Sequence, residues 1–368
     1  VKQNNYKTPF PWFGGKSRVA DVVWAALGEV TNYVEPFFGS GAVLMLRPDG
    51  AGKIETVNDA DGFVANFWRA LQYNPEQVAH HADWPVNECD LHARHLWLVG
   101  QRERITERLM GDSEWYDAKA AGWWAWGQSC WIGSGWCSGK GPWTSVDGVF
   151  THLGNAGRGV NRQLPHLGDA GQGVNRQLPH LGCAGRGVNR QLPHLGDAGQ
   201  GVNRQLPHLG CAGQGVKRQL PLAQYLQSLA DRLRNVRVCC GDWSRVCGPC
   251  VTHKHGLTGV FLDPPYSAKA DRDGELYAVE SLSVAHDVRE WAIEAGQRDD
   301  MRIVLAGYDG EHELPGWRKS HWKALGGYGN QGKSDSRGKR NRHRETLWFS
   351  PACLETASES QGLFAEAV

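Results

Sequence analysis

The chain has 368 residues and a formal net charge of +1, enough length for one sizeable core with an insertion or for two modest domains. No stretch approaches the roughly 18 unbroken apolar residues that a membrane span needs. The N-terminal Val1-Lys2-Gln3-Asn4-Asn5 also lacks the apolar centre of a signal peptide. Ten cysteines in such a chain suggest reduced thiols and a cytoplasmic location, while Gly 47 and Trp 17 are compositional excesses.

In chain order, Tyr33-Val34-Glu35-Pro36 leads into Phe37-Phe38-Gly39-Ser40-Gly41 and then Ala42-Val43-Leu44-Met45-Leu46, which predicts strand, glycine turn and helix start. Ile54-Glu55-Thr56-Val57 is a second strand closed by Asn58-Asp59, and Phe63, Phe67 and Leu71 follow at helical spacing. This is the opening of a doubly wound parallel sheet with an acid at the end of its second strand.

The pattern then breaks. Residues 75–150 are predicted helical and are rich in tryptophan, notably Trp123, Trp124, Trp126, Trp131, Trp136 and Trp143, most of which should be core. Five copies of a 14-residue unit run from His152 to Pro221 and vary only at the fourth, seventh and tenth positions. The second and fourth copies are identical, a mark of recent duplication. Three glycines and a proline per unit disfavour helix, so stacked turns or loops are expected.

Sheet-like sequence resumes with a helix over Leu222–Arg234, a strand over Val236–Cys240 ending at Gly241-Asp242, and an apolar strand Val260-Phe261-Leu262 running into Asp263-Pro264-Pro265-Tyr266. Ser281–Gly296 is predicted helical, Met301–Ala306 a strand, and Glu345–Ser350 a strand that closes the sheet. The expected organisation is a core in two parts, 1–71 and 222–352. Between them lie a helical insert, 72–151, and the repeats, 152–221; a disordered tail, 353–368, follows.

Charge is concentrated in two places. Between Trp317 and Arg344 nine lysines or arginines face Asp335 alone, and His152–Pro221 carries eight basic residues against Asp169 and Asp197. Two basic regions in a near-neutral chain are the footprint of a phosphate-binding face. Arg337, Lys339, Arg340, Arg342 and Arg344 are the first candidates for DNA contact, with Arg158 and Arg162 of the first repeat beside them. A solvated loop is the plain alternative for each region. For the repeats, the alternative is that duplication lengthened a surface loop, which costs little because closure entropy grows only logarithmically.

Four strand-end features fall on one sheet edge: the turn Gly39–Gly41, Asp59, Asp242 and Asp263–Tyr266. Glycines admit a ligand to the backbone, one acid can accept from ribose hydroxyls, and a second can accept from an adenine amino group. The pocket suits an adenosine-bearing cofactor, most simply S-adenosylmethionine. Val43 and Leu44 stand where a dinucleotide GxGxxG needs its later glycine, and no Gly-Lys-Ser/Thr marks a P-loop. Asp263 and the Pro264 carbonyl can hold a base amino group, the prolines keep those acceptors rigid, and Tyr266 can stack on the base.

On these residues the chain resembles the Dam-like adenine-N6 DNA methyltransferases, in which the cofactor motif, a target-recognition insert and DPPY follow in that order. Pro11-Trp12-Phe13-Gly14-Gly15-Lys16 is similar to the family's opening motif, Val34–Gly41 to its cofactor loop and Asn58-Asp59 to its second acidic motif. The resemblance covers the core. It implies an α/β Rossmann-like S-adenosylmethionine-dependent methyltransferase sheet with a helical and Gly-rich repeat insertion. It further implies methyl transfer to adenine N6 of double-stranded DNA by base flipping, without a metal. Trp12, Lys16, Glu35, Phe38, Gly39, Gly41, Asp59, Asp242 and Asp263 are the expected cofactor residues, and Asp263, Pro264, Pro265 and Tyr266 the catalytic ones. In the insert, Trp126-Gly127-Gln128-Ser129-Cys130-Trp131-Ile132-Gly133 lacks the family's Asn-Arg pair. The repeat unit resembles a segment of phage-encoded members, which suggests a phage or prophage source. A cognate restriction enzyme is compatible with the reading and is not required by it.

Alternatives are an N4-cytosine or RNA enzyme on the same scaffold and a catalytically silent DNA-binding protein. The first more often opens its tetrad with Ser or Asn; intact Asp263–Tyr266 argues against the second. Cys247-Gly248-Pro249-Cys250 is similar to a redox motif but leads straight into the DPPY strand, and its pairing with His253 and His255 would crowd a tetrahedral ion. An inert loop is the expectation there.

Overall fold

The computed structural model describes residues 6–12, 16–48, 53–131, 136–137, 143–146, 149–152, 222–265, 284–322 and 345–355. The first core segment gives α1 (Ala20–Leu27), β1 (Asn32–Glu35), α2 (Ala42–Met45), β2 (Ile54–Asp59) and α3 (Gly62–Tyr73). The insert contributes α4 (Pro75–Ala82), α5 (Glu88–Gly111), α6 (Ala118–Cys130) and the strands β3 (Trp143–Val146) and β4 (Val149–His152). The second core segment gives α7 (Leu222–Leu233), β5 (Val236–Cys240), β6 (Thr258–Leu262), α8 (Val284–Ala295), β7 (Met301–Tyr308), β8 (Arg318–His321) and β9 (Glu345–Phe349).

The main sheet has seven strands in the order β5-β2-β1-β6-β7-β9-β8. The first five are parallel, β9 runs antiparallel to β7, and β8 antiparallel to β9. The chain works outward from β1 in one direction through β2 to β5, then in the other from β6. The switch point of this doubly wound sheet therefore lies between β1 and β6, where ligands of such sheets bind. Alternate residues of each strand face opposite layers. Tyr33, Val57, Phe261, Val304, Leu347 and Phe349 join the layer holding α1, α3, α7 and the insert helices. Val34, Val260, Leu262, Ile303, Leu305 and Trp348 join the layer of α8.

Local chemistry sets the helix starts. Asp61, Asn74, Asn87 and Asp117 each accept from a backbone N–H of the helix they precede, which are α3, α4, α5 and α6 in turn. Behind the sheet, Glu55 of β2 accepts from Arg47 Nη1 at 3.0 Å and from Arg232 Nη1 and Nη2 at 2.7 and 2.8 Å. This buried triad fastens α7 back onto β2 immediately after the long interruption.

Three expectations need correction. The insert is not helical throughout, because Trp143–Val146 and Val149–His152 pair as an antiparallel hairpin. Tryptophan and valine beside threonine favour a pleated ladder over a helix there. Helix α3 continues to Tyr73, past the expected boundary at residue 71, and ends where Asn74 caps the next helix. Residues 353–355, assigned to the tail, are instead packed on the core: Cys353 is buried, Leu354 N donates to Ala26 O at 2.8 Å, and Arg318 holds the Leu354 carbonyl, while 356–368 lie outside the described residues. The repeats, apart from His152 at the end of β4, lie outside the described residues.

Candidate active site

The turn after β1 is shaped by two glycines with positive φ, +48° at Gly39 and +70° at Gly41. A Cβ on Gly39 would stand 2.4 Å from the Trp12 indole nitrogen, so the Trp12 ring lies directly against this backbone. Trp68 Nε1 donates to Gly39 O at 2.8 Å, and Gly41 N donates to Phe38 O at 2.8 Å. The Phe38 ring is buried beneath the turn.

Asp59 closes β2 beside it. Its Oδ2 accepts from Gly39 N and its Oδ1 from Asp61 N, both at 2.9 Å. These donors fix the carboxylate's orientation while it stays half-buried. Burial pushes the Asp59 carboxyl up to about 7 and the Asp61 charge adds to that, while the two N–H donors pull the other way.

Asp263, one residue beyond β6, shares this face of the sheet. Its Oδ1 pairs with Lys16 Nζ at 2.9 Å. The Lys16 side chain is 5 % exposed and that of Asp263 23 %, so the lysine is enclosed and the acid opens outward. Burial raises the Asp263 carboxyl, partly offset by Lys16. Burial also disfavours the Lys16 ammonium, but Asp263 and Glu345 outweigh it and leave its pKa raised. Pro264 is buried and Pro265 half-buried.

Other expected residues are placed differently. Glu35 is 2 % exposed and engaged inward, accepting from Tyr33 OH at 2.9 Å and from the Leu44 N–H; burial lifts its carboxyl well above the usual range. Asp242 is exposed and caps the turn Trp243–Val246 by accepting from Ser244 N at 2.9 Å. Tyr266, Arg158, Arg162, Arg337, Lys339, Arg340, Arg342 and Arg344 lie outside the described residues. Cys247 is buried and Cys250 exposed, both as free thiols. Among the described residues no group of three or more His, Cys, Asp or Glu could hold a metal ion, and no helix is long and apolar enough to cross a membrane.

Sequence reasoning missed Glu345 and Trp322. Glu345 acts on Lys16 from the start of β9, and Trp322, held by Trp322 N to Glu345 O at 2.9 Å, presents its ring 5.9 Å from Lys16 Nζ. Both lie in or beside a basic stretch where only cationic residues drew attention.

The donor set discriminates between ligands. Asp59 and Asp263 lie at strand ends on this edge with Lys16 as counter-charge, while Glu35 is turned inward, so the edge offers acceptors more than anion-binding donors. The fold, a mostly parallel seven-stranded sheet with helices on both faces, is that of a Rossmann-like methyltransferase.

Residues 12–88 match the family model for D12 class N6 adenine-specific DNA methyltransferases. The matched stretch spans β1, the glycine turn and β2 of the sheet, and by its description that family methylates adenine N6 in DNA. No curated protein matches the chain.

Proposed function

We propose that this chain turns the target adenine out of the DNA duplex and presents its amino group to Asp263 and the Pro264 carbonyl. The observation that carries the reading is the meeting of the Gly39–Asp59 cradle and the Lys16–Asp263 pair on one sheet edge, at the switch point between β1 and β6. When bound, S-adenosylmethionine supplies the electrophilic methyl group.

Asp59 is the acceptor for ribose hydroxyls, its oxygens fixed by Gly39 and Asp61. Trp12 and Phe38 wall the glycine turn, and Gly39 and Gly41 leave the backbone open to the ligand. Lys16 holds one Asp263 oxygen, which leaves the other to accept from the adenine amino group. The Pro264 carbonyl is the second acceptor, rigid because proline fixes φ. Two acceptors draw the nitrogen lone pair out of ring conjugation and aim it at the methyl group. Tyr266 is the stacking surface for the extruded base, worth on the order of 1–3 kcal/mol against an unstacking cost of a few. Positioning then supplies most of the rate, roughly 7–11 kcal/mol of barrier.

The basic residues Arg337–Arg344, with Arg158 and Arg162, are the proposed phosphate contacts. The free cysteines support a reducing compartment, the cytoplasm.

The test is Asp263→Ala. Methylation, read as N6-methyladenine after digestion of product DNA to nucleosides, is expected to fall by at least roughly 10²–10³-fold, with cofactor binding weakened but measurable. Near-wild-type methylation would overturn the mechanism. A 2-aminopurine placed at the target adenine should brighten when the protein binds; no change would remove the flipping step.

A further inference from the structure

One ion pair joins the insert to the cofactor end of the sheet. Arg102 of α5 extends its guanidinium between the two parts, with Nη1 on Asp61 Oδ1 at 3.0 Å and Nε on Cys137 O at 3.1 Å. Nη2 donates to the same Cys137 carbonyl. Asp61 is more than a helix cap. Its carboxylate accepts from Phe63 N at 2.9 Å to start α3, and its own N–H donates to Asp59. A continuous path of hydrogen bonds thus runs from the Gly39 N–H through Asp59, Asp61 and Arg102 to the Cys137 carbonyl.

The far end of that path is a constrained backbone. Cys137 has φ +55°, the one positive φ among described non-glycine residues. A left-handed non-glycine residue costs on the order of 1–2 kcal/mol and persists only when its surroundings hold it. The two Arg102 donors hold its carbonyl, and its N–H donates to His95 Nδ1 at 3.4 Å. His95 is in turn stacked on Trp131, with centroids 4.9 Å apart and planes 10° from parallel. Cys137 lies at the exit of α6, on the way to the β3–β4 hairpin and the basic repeats. A change in the insert that moves this carbonyl therefore moves Arg102, and with it the charge beside Asp59.

We infer that Arg102 is a positioning residue linking occupation of the insert by DNA to cofactor affinity at the Gly39–Asp59 cradle. The link is reciprocal, since a coupling free energy between two sites acts equally in both directions. It rests on the reading of Asp59 as a cofactor acceptor, so the test separates the two. The charged and titratable groups facing Asp59 are Asp61 on its own turn, Arg102 reaching Asp61 from α5, and the Cys240 thiol on β5, which burial keeps neutral.

The experiment titrates the full chain with S-adenosylhomocysteine, which cannot react, with and without fragmented unmethylated plasmid DNA. The wild type should bind it at least about fivefold more tightly with DNA present. Arg102→Ala and Asp61→Asn should each bring that factor close to one, and the double variant should do no more, because both changes cut one path. Asparagine still caps a helix, so Asp61→Asn keeps α3 intact. Arg102→Lys, which retains the charge, should restore part of the link. The pH midpoint of cofactor binding should rise in Arg102→Ala, where Asp61 acts on Asp59 unopposed, and fall in Asp61→Asn, where that charge is gone. A merely structural role would not move the two midpoints in opposite directions. A wild-type factor near one, or variants that keep the wild-type factor and midpoints, would overturn the inference. Asp59→Asn that binds cofactor as the wild type does would overturn the underlying reading of the cradle instead.

Discussion

Asp59 carries an expectation of its own at the scale of a single side chain. Its carboxyl is pushed up to about 7 by burial, above its value in an unfolded chain. The folded apo-protein therefore holds a proton that the unfolded chain has released, so this group's contribution to stability declines as pH rises toward 7 and is level above it. Cofactor binding runs the opposite way, because ribose hydroxyls need the ionised acceptor. Affinity should climb about tenfold per pH unit up to pH 7 and then plateau, with proton uptake by the buffer visible in calorimetry. Asp59→Asn should flatten the profile as well as weaken binding. A flat wild-type profile would mean that the carboxylate does not face the cofactor.

Among elements, the sheet depends on the junction between β2 and α7. Glu55 is 2 % exposed and balances two guanidinium groups, Arg47 and Arg232. Glu55→Ala leaves both without their carboxylate and should cost roughly 3–5 kcal/mol, read as a drop in the midpoint of urea unfolding. A loss below about 1 kcal/mol would show that water replaces the pair. This contact also shows what was legible beforehand. The strands β1, β2, β5, β6, β7 and β9 announced themselves as short apolar runs, and α3 and α7 by their spacing. Helix α1 begins without a capping side chain, at Val19, and so gave no start signal. Strand β8 reads Arg-Lys-Ser-His and is half-buried on alternate residues and exposed on the others at the sheet edge, where no apolar run is needed. Asp59 and Asp263 were proposed from their places at strand ends and Lys16 from its motif's resemblance, but the pairing of Lys16 with Asp263, the inward turn of Glu35 and the reach of Arg102 are tertiary contacts. No local pattern encodes those.

At the scale of the molecule the insert divides the chain while the sheet stays whole. The hairpin ends at His152 and α7 begins at Leu222, so the five repeats connect two ordered elements. Closure entropy changes by only about 0.6 kcal/mol for each doubling of a flexible loop. A chain trimmed to one repeat is therefore expected to fold and methylate, with stability above the parent's by no more than about 1.5 kcal/mol. Loss of all DNA affinity on trimming would show that the copies act together as the binding surface.

The neighbourhood of β2 and β5 carries a last consequence, for synthesis. Asn58 of β2 donates to Gly241 O at 2.9 Å across a sequence separation of 183 residues. A ribosome adding roughly 5–20 residues per second would take on the order of 10–40 s to deliver β5 after β2 has emerged. Throughout that wait the nascent β1–β2 pair offers bare hydrogen-bonding edges to every neighbouring polypeptide. Holdase chaperones that shield those edges during translation should therefore matter more to this chain's yield than to that of a protein whose sheet grows strand by strand, which expression with and without such a chaperone would check.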